Sequence, residues 1–140
     1  MSGPFSVVVR FPQPPAVVFA YLMDPRNRPA WQSSLRGVED VVGSGEVGTT
    51  WVDVTVPGLR PRLEVTDCDA PRLWAEDGVW RGVTARLEIH LRPSAEGGTI
   101  LRANVDFRTP GLLAPAGWFL RLVTPAAVRA DLRKAAHLIG

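Results

Sequence analysis

At 140 residues the chain fits one domain, residues 1–140, large enough to bury about two-thirds of its unfolded surface. Its net charge of +2 comes from 16 basic and 14 acidic residues, and the densest basic stretch, Arg129 to Lys134, is interrupted by Asp131. The basic stripe that nucleic-acid recognition needs is therefore missing, and no run approaches the roughly 20 apolar residues that span a bilayer.

Three smaller signals bear on where the chain works. Met1-Ser2-Gly3-Pro4 leads straight into a strand, with no basic n-region or apolar h-region, so a cytoplasmic protein is expected. Cys68 is the single cysteine, which excludes an internal disulfide and a cysteine-based metal cluster. Every cation except Lys134 is arginine, a bias that reflects a GC-rich bacterial genome more readily than a binding surface.

Along the chain, Phe5 to Phe11 alternates Phe5, Val7, Val9 and Phe11 against Ser6, Val8 and Arg10, the pattern of a half-buried strand. Pro14 and Pro15 suit the first turn of a helix over Ala16 to Leu22. Asp24-Pro25 ends that helix, and a second short one is predicted around Arg26 to Trp31. Gly37 to Val42, Thr49 to Val56 and Leu59 to Cys68 read as strands, the second closed by Pro57-Gly58 and the third weakened near its start by Pro61. Arg72 to Glu76 follows, with a turn predicted at Asp77-Gly78. Val83 to Leu91 and Ile100 to Arg108, joined through Glu96-Gly97-Gly98, give the cleanest dry-face, wet-face alternation in the chain.

After Thr109-Pro110-Gly111, residues Leu112 to Ile139 read as helix, with an irregular segment expected near Pro115 and a bend or break near Pro125. The stretch Trp118 to Val123, which includes Phe119 and Leu122, is either core against the sheet or the entrance that an apolar ligand passes. This order of elements predicts an α+β domain. A curved antiparallel β-sheet of about six to seven strands wraps a long C-terminal helix, with two short helices after the first strand. A sheet wrapped around one helix readily leaves a cavity between them.

The segment Pro14-Pro15-Ala16-Val17-Val18-Phe19-Ala20-Tyr21-Leu22-Met23-Asp24-Pro25-Arg26-Asn27, followed by Trp31, resembles the opening of the START/Bet v 1-like helix-grip superfamily (SRPBCC) and its polyketide cyclase/dehydrase-like members. Gly48-Thr49-Thr50-Trp51, Val65-Thr66 through Leu73, the Gly97-Gly98-Thr99 turn and Arg129-Ala130-Asp131-Leu132 are similar to later motifs of that superfamily. The resemblance covers nearly the whole chain and implies the helix-grip fold, with an apolar cavity between sheet and last helix. It says little about activity, because one fold hosts carriers, cyclases and regulatory modules alike.

Alternation then selects residues for that cavity. Leu87, Ile89, Leu91, Leu101, Ala103, Val105 and Phe107 are expected to face inward, most of them as core. The resemblance places Trp51 inward, and the two-residue period carries Asp53 and Thr55 with it. The opposite parity would bury Val52, Val54 and Val56 and leave Asp53 in water, and the sequence leaves both open. If inward, Asp53 would have a raised pKa and could hydrogen-bond a ligand or act as general acid or base. Of the five tryptophans, Trp51 is the strongest candidate for ligand contact, with Trp74 and Trp80 next. The ligand-binding set is therefore Trp51, Asp53, Trp74, Trp80, Leu87, Ile89, Ala103, Val105, Phe107, Phe119 and Leu122.

Other chemistry finds weak support. His90 falls on the wet face of its strand and His137 near the C-terminus, so neither a metal nor a histidine base is expected. Cys68 reads as a small buried hydrophobe, and no glycine-rich phosphate loop precedes a helix, so no cofactor is expected. The leading function is binding or transport of a hydrophobic small molecule, such as a lipid, quinone or polyketide-like compound. A polyketide cyclase/aromatase-type enzyme and a protein-interaction module, as monomer or homodimer, stand as alternatives. A carrier needs a continuous apolar cavity, a cyclase needs at least two converging polar side chains in it, and an interaction module tolerates a collapsed one.

Overall fold

The computed structural model describes residues 5–56, 58–108 and 124–139. Seven strands form one antiparallel sheet: β1 (Phe5–Phe11), β2 (Leu35–Val42), β3 (Thr50–Thr55), β4 (Arg62–Asp69), β5 (Leu73–Trp80), β6 (Val83–Pro93) and β7 (Thr99–Arg108). Their order is β1-β7-β6-β5-β4-β3-β2. β2 through β7 are a meander, each hairpin laid against the last, while β1 pairs with β7 at the far edge, Phe5 opposite Val105 and Phe11 opposite Thr99. The connection from β1 to β2 must therefore cross the full width of the sheet. It does so through α1 (Pro15–Leu22), a 3-10 turn (Pro25–Asn27) and α2 (Arg28–Trp31), with α1 against β6 and α2 against β2.

The two short helices form where the prolines predict. Pro15 occupies the first turn of α1, and the Asp24 carboxylate accepts the Arg26 N–H to start the 3-10 turn. The C-terminal helix α3 (Pro125–Ile139) begins at its own proline. Thr124 caps it, its hydroxyl accepting from the Ala127 N–H and its carbonyl from the Val128 N–H. Pro125 thus sits where a missing N–H is harmless, and the interruption expected there is a helix start. Pro115 and the rest of residues 109–123, including Trp118, lie outside the described residues. α3 buries Leu132 and Ala135 against a core built from Val7, Val9, Val18, Leu22, Leu101 and Ala103.

Two expectations need correction. Asp77-Gly78 is not a turn: β5 runs on to Trp80, with Asp77 opposite Arg86 and Gly78 opposite Ala85. The chain reverses at Arg81-Gly82, both at positive φ (47° and 83°), the two-residue geometry that matches strand twist. A β-carbon at Gly78 would make only an ordinary contact with Leu63, at 3.4 Å. The strand after Pro57-Gly58 begins at Arg62, not Leu59. Pro61 cannot donate, but its carbonyl still accepts from the Asp53 N–H at 3.0 Å and that of Leu59 from Thr55 at 2.9 Å.

Candidate functional site

The parity of β3 decides its chemistry. Trp51, Asp53 and Thr55 are buried, Val52 and Val54 lie half-buried on the other face, and Val56 is exposed. Asp53 is therefore inside, 5 % exposed, and the arrangement with buried valines does not occur. β5 repeats the pattern two strands away. Trp51 donates its indole N–H to Asp53 at 2.9 Å, and Trp74 donates its own to Glu76 at 2.8 Å. In each case residues i and i+2 share one face of a strand.

Between these two pairs stands Arg28, the first residue of α2 and only 4 % exposed. Its guanidinium makes a bidentate pair with Glu76, Nη1 to Oε1 at 2.8 Å and Nη2 to Oε2 at 3.0 Å. Its Nε stands 3.9 Å from Asp53 Oδ1. The ring of Trp51 lies 5.3 Å from the guanidinium carbon and that of Trp31 5.9 Å, both within cation–π range. One cation thus faces two carboxyl groups in a desolvated corner. Burial raises the Asp53 carboxyl from 3.8 to about 6, and the nearby charge of Glu76 adds to the rise, while Arg28 and the Trp51 hydrogen bond oppose it. Burial works against the charge of Arg28, but the two carboxylates outweigh it and hold the guanidinium above its ordinary pKa. Asp53 thus holds its proton more tightly than an ordinary aspartic acid.

Above the cluster is a cavity of about 130 Å³. Leu63, Leu87, Ile89, Ala103 and Val105 line it from the sheet, and Val128 and Leu132 from α3. Arg28, Asp53 and Glu76 form its polar corner, and Gln32, Ser34 and Asp131 contribute polar edges. Asp131 on α3 accepts from the Ser33 backbone N–H at 3.2 Å and its hydroxyl at 2.8 Å, tying α3 to the connection that follows α2.

Of the residues selected from sequence, Asp53, Leu87, Ile89, Ala103 and Val105 meet at this cavity. Trp51 and Trp74 do not line it; they stand behind the carboxylates and orient them. Trp80 and Phe107 are elsewhere, packed with Val83 and Ala85 in a separate small cluster. Phe119 and Leu122 lie outside the described residues. Arg28 and Glu76 were missed. The signal that could have found Glu76 is the repetition of Trp51-Val52-Asp53 as Trp74-Ala75-Glu76. Cys68 is half-buried with its thiol pushed up, chiefly by burial. His90 is exposed beside Glu88 at 3.2 Å, and His137 is exposed in the last turn of α3. Among the described residues no three His, Cys, Asp or Glu side chains are grouped to hold a metal, and no helix is long and apolar enough to cross a membrane.

The family model for polyketide cyclase/dehydrase and lipid transport proteins matches residues 4–138. The chain belongs to that family. The fold of this family member is the Bet v 1 helix-grip fold. The crystal structure of Ara h 8.0201 superposes with a TM-score of 0.73 at 17% identity, over 99% of this chain and 98% of that one. Norcoclaurine synthase from Thalictrum flavum gives 0.73 at 13% identity, over 99% and 87%. DR_A0006 from Deinococcus radiodurans gives 0.69 at 18% identity, over 96% and 95%. At these identities the likeness is one of fold. No curated protein matches the sequence.

Proposed function

We propose that this family member binds a hydrophobic small molecule in the cavity between the sheet and α3, as a carrier or as the holder of a reactive intermediate. The observation that carries this reading is the cavity itself, about 130 Å³ of space walled mainly by aliphatic side chains beside the buried core. Close-packed protein interiors hold few voids larger than a water molecule. A void of about 150 Å³ with apolar walls accommodates benzene, so a compact ring or a short apolar chain fits. Burial of about 200 Å² of apolar ligand surface contributes about 5 kcal/mol before the costs of association. The same void weighs against a pure interaction module, which would tolerate a collapsed interior. Native mass spectrometry of the purified protein, followed by organic extraction, tests the reading. A co-purifying apolar compound in stoichiometric amount supports it, while an empty protein that also fails to take up small aromatic probes removes it.

A second reading is favoured by one feature, the Asp53 proton poised near pH 6 inside the cavity. A carboxylate so placed is suited to general acid–base work. It could take a proton from the carbon beside a ligand carbonyl and return it to a departing hydroxyl. A C–H and a C–O bond break, a C=C bond forms and water leaves, the net change of a dehydration. Asp53→Asn would abolish such turnover while leaving binding of the same compound within a few-fold. Equal loss of both would assign Asp53 to binding alone.

A further inference from the structure

The cavity's polar corner is unbalanced in two respects. Among the described residues, Arg28 Nε and Trp31 Nε1 are buried donors with no hydrogen-bond partner, and both side chains line the cavity. The two residues are three apart on α2, with the guanidinium 5.9 Å from the Trp31 ring, so the orphan donors share one corner. A buried donor left unpaired is costly, and an acceptor brought in by a ligand relieves that cost. The second imbalance is charge. Arg28 already spends two N–H groups on Glu76, and Asp53 adds a second carboxyl to the same cation. With Asp53 protonated the corner is neutral. A carboxylate ligand would then bring it to a net charge of −1 against walls of Leu87, Ile89 and Val105, where an unpaired charge is strongly disfavoured. The remaining charged groups around the cavity do not alter this. Asp131 on α3 is itself acidic, and the Arg86 guanidinium is engaged by Asp67, Asp77 and Glu88.

We infer that the cavity selects a neutral apolar molecule of about one ring whose hydrogen-bond-accepting oxygen, a carbonyl or a hydroxyl, docks on the orphan donors of Arg28 and Trp31, and that it rejects a carboxylate of the same shape. This rests on the reading of the cavity as a binding site. It specifies the ligand's polar end, which apolar burial alone leaves open.

Three probes of nearly equal shape separate the two ideas: ethylbenzene, acetophenone and benzoate, titrated calorimetrically into the full chain at pH 7.5. Acetophenone is expected to bind at least about tenfold more tightly than ethylbenzene, because its oxygen meets a charged donor, and at least about tenfold more tightly than benzoate. Glu76→Gln leaves one carboxyl against Arg28, so benzoate should gain about tenfold or more and close the gap. Should that variant fail to fold, Asp53→Asn serves instead. Benzoate binding to the unaltered protein should strengthen as pH falls from 8 to 5, since Asp53 must take up a proton, and should be flat across that range in Asp53→Asn. Equal affinity for acetophenone and ethylbenzene, or benzoate bound as well as acetophenone, overturns the inference and leaves the cavity reading standing. Failure of all three probes to bind overturns both.

Discussion

Asp53 holds a proton more tightly in the folded protein than in the unfolded chain, because burial penalises its charged form. The sign of its effect on stability follows. Its contribution is complete below the unfolded value of 3.8 and is lost as pH rises through about 6. At about 1.4 kcal/mol per unit of pKa, the loss across that window is about 3 kcal/mol. Urea unfolding between pH 4 and 8 should therefore show the protein weakening relative to Asp53→Asn, with the variant the more stable at pH 7.5 and the two similar near pH 4. Parallel profiles would mean that the carboxyl is solvated. Arg28 presents the reverse case. Arg28→Met leaves two buried carboxylates without their cation and should cost about 3–5 kcal/mol in urea unfolding at pH 7.5, whereas Arg28→Met combined with Glu76→Gln and Asp53→Asn should recover most of that loss. Asp53 was visible in the sequence as one parity of a β-prone run. Arg28 was not, because nothing local distinguishes the one arginine that the crossover carries under the sheet from those left in water.

At the scale of elements, the turns and caps followed from residue chemistry more often than the strand ends did. Pro15 and Pro125 start helices, and Gly97 turns the β6–β7 hairpin at a φ of 89°. The pair Asp77-Gly78 carries a strong turn signature yet lies within a strand, held there by pairing with Glu64 and Leu63 on β4 and with Arg86 and Ala85 on β6, so that tertiary pairing overrides a local preference. The turn fell instead to Arg81-Gly82, a weaker signal. The tie between α3 and the α2–β2 connection is an element-scale feature with its own consequence. Asp131→Ala removes both hydrogen bonds from Ser33. It should lower stability by about 1 kcal/mol and raise the dissociation rate of a bound apolar probe several-fold in stopped-flow fluorescence. An unchanged rate would show that ligand leaves by another route.

For the whole molecule, small residues on three neighbouring strands leave room for the cavity. Gly78, Ala85 and Ala103 all line the cavity, and Ala103 is fully buried between Val7 and Ile89 on the neighbouring strands. Ala103→Leu places three more carbons in that space. Acetophenone affinity should fall at least about tenfold by calorimetry, while stability changes by no more than the roughly 1–3 kcal/mol of overpacking. Full binding by a stable Ala103→Leu protein would place the ligand elsewhere.

The sequence by itself determined the class of fold, the order of its elements and the inward face of β6 and β7, because alternation, prolines and glycines act over a few residues and leave a periodic record. It narrowed Asp53 to two parities and brought five of the cavity's residues into view. Only the tertiary structure decided that Asp53 points inward, that Trp80 and Phe107 pack elsewhere, and that Arg28 from the crossover meets Glu76 from β5. Those outcomes depend on contacts between residues dozens of positions apart, 48 in the case of Arg28 and Glu76. Which side chain fills a shared space, and which charge is left one partner short, is set by the folded molecule as a whole and has no local signature.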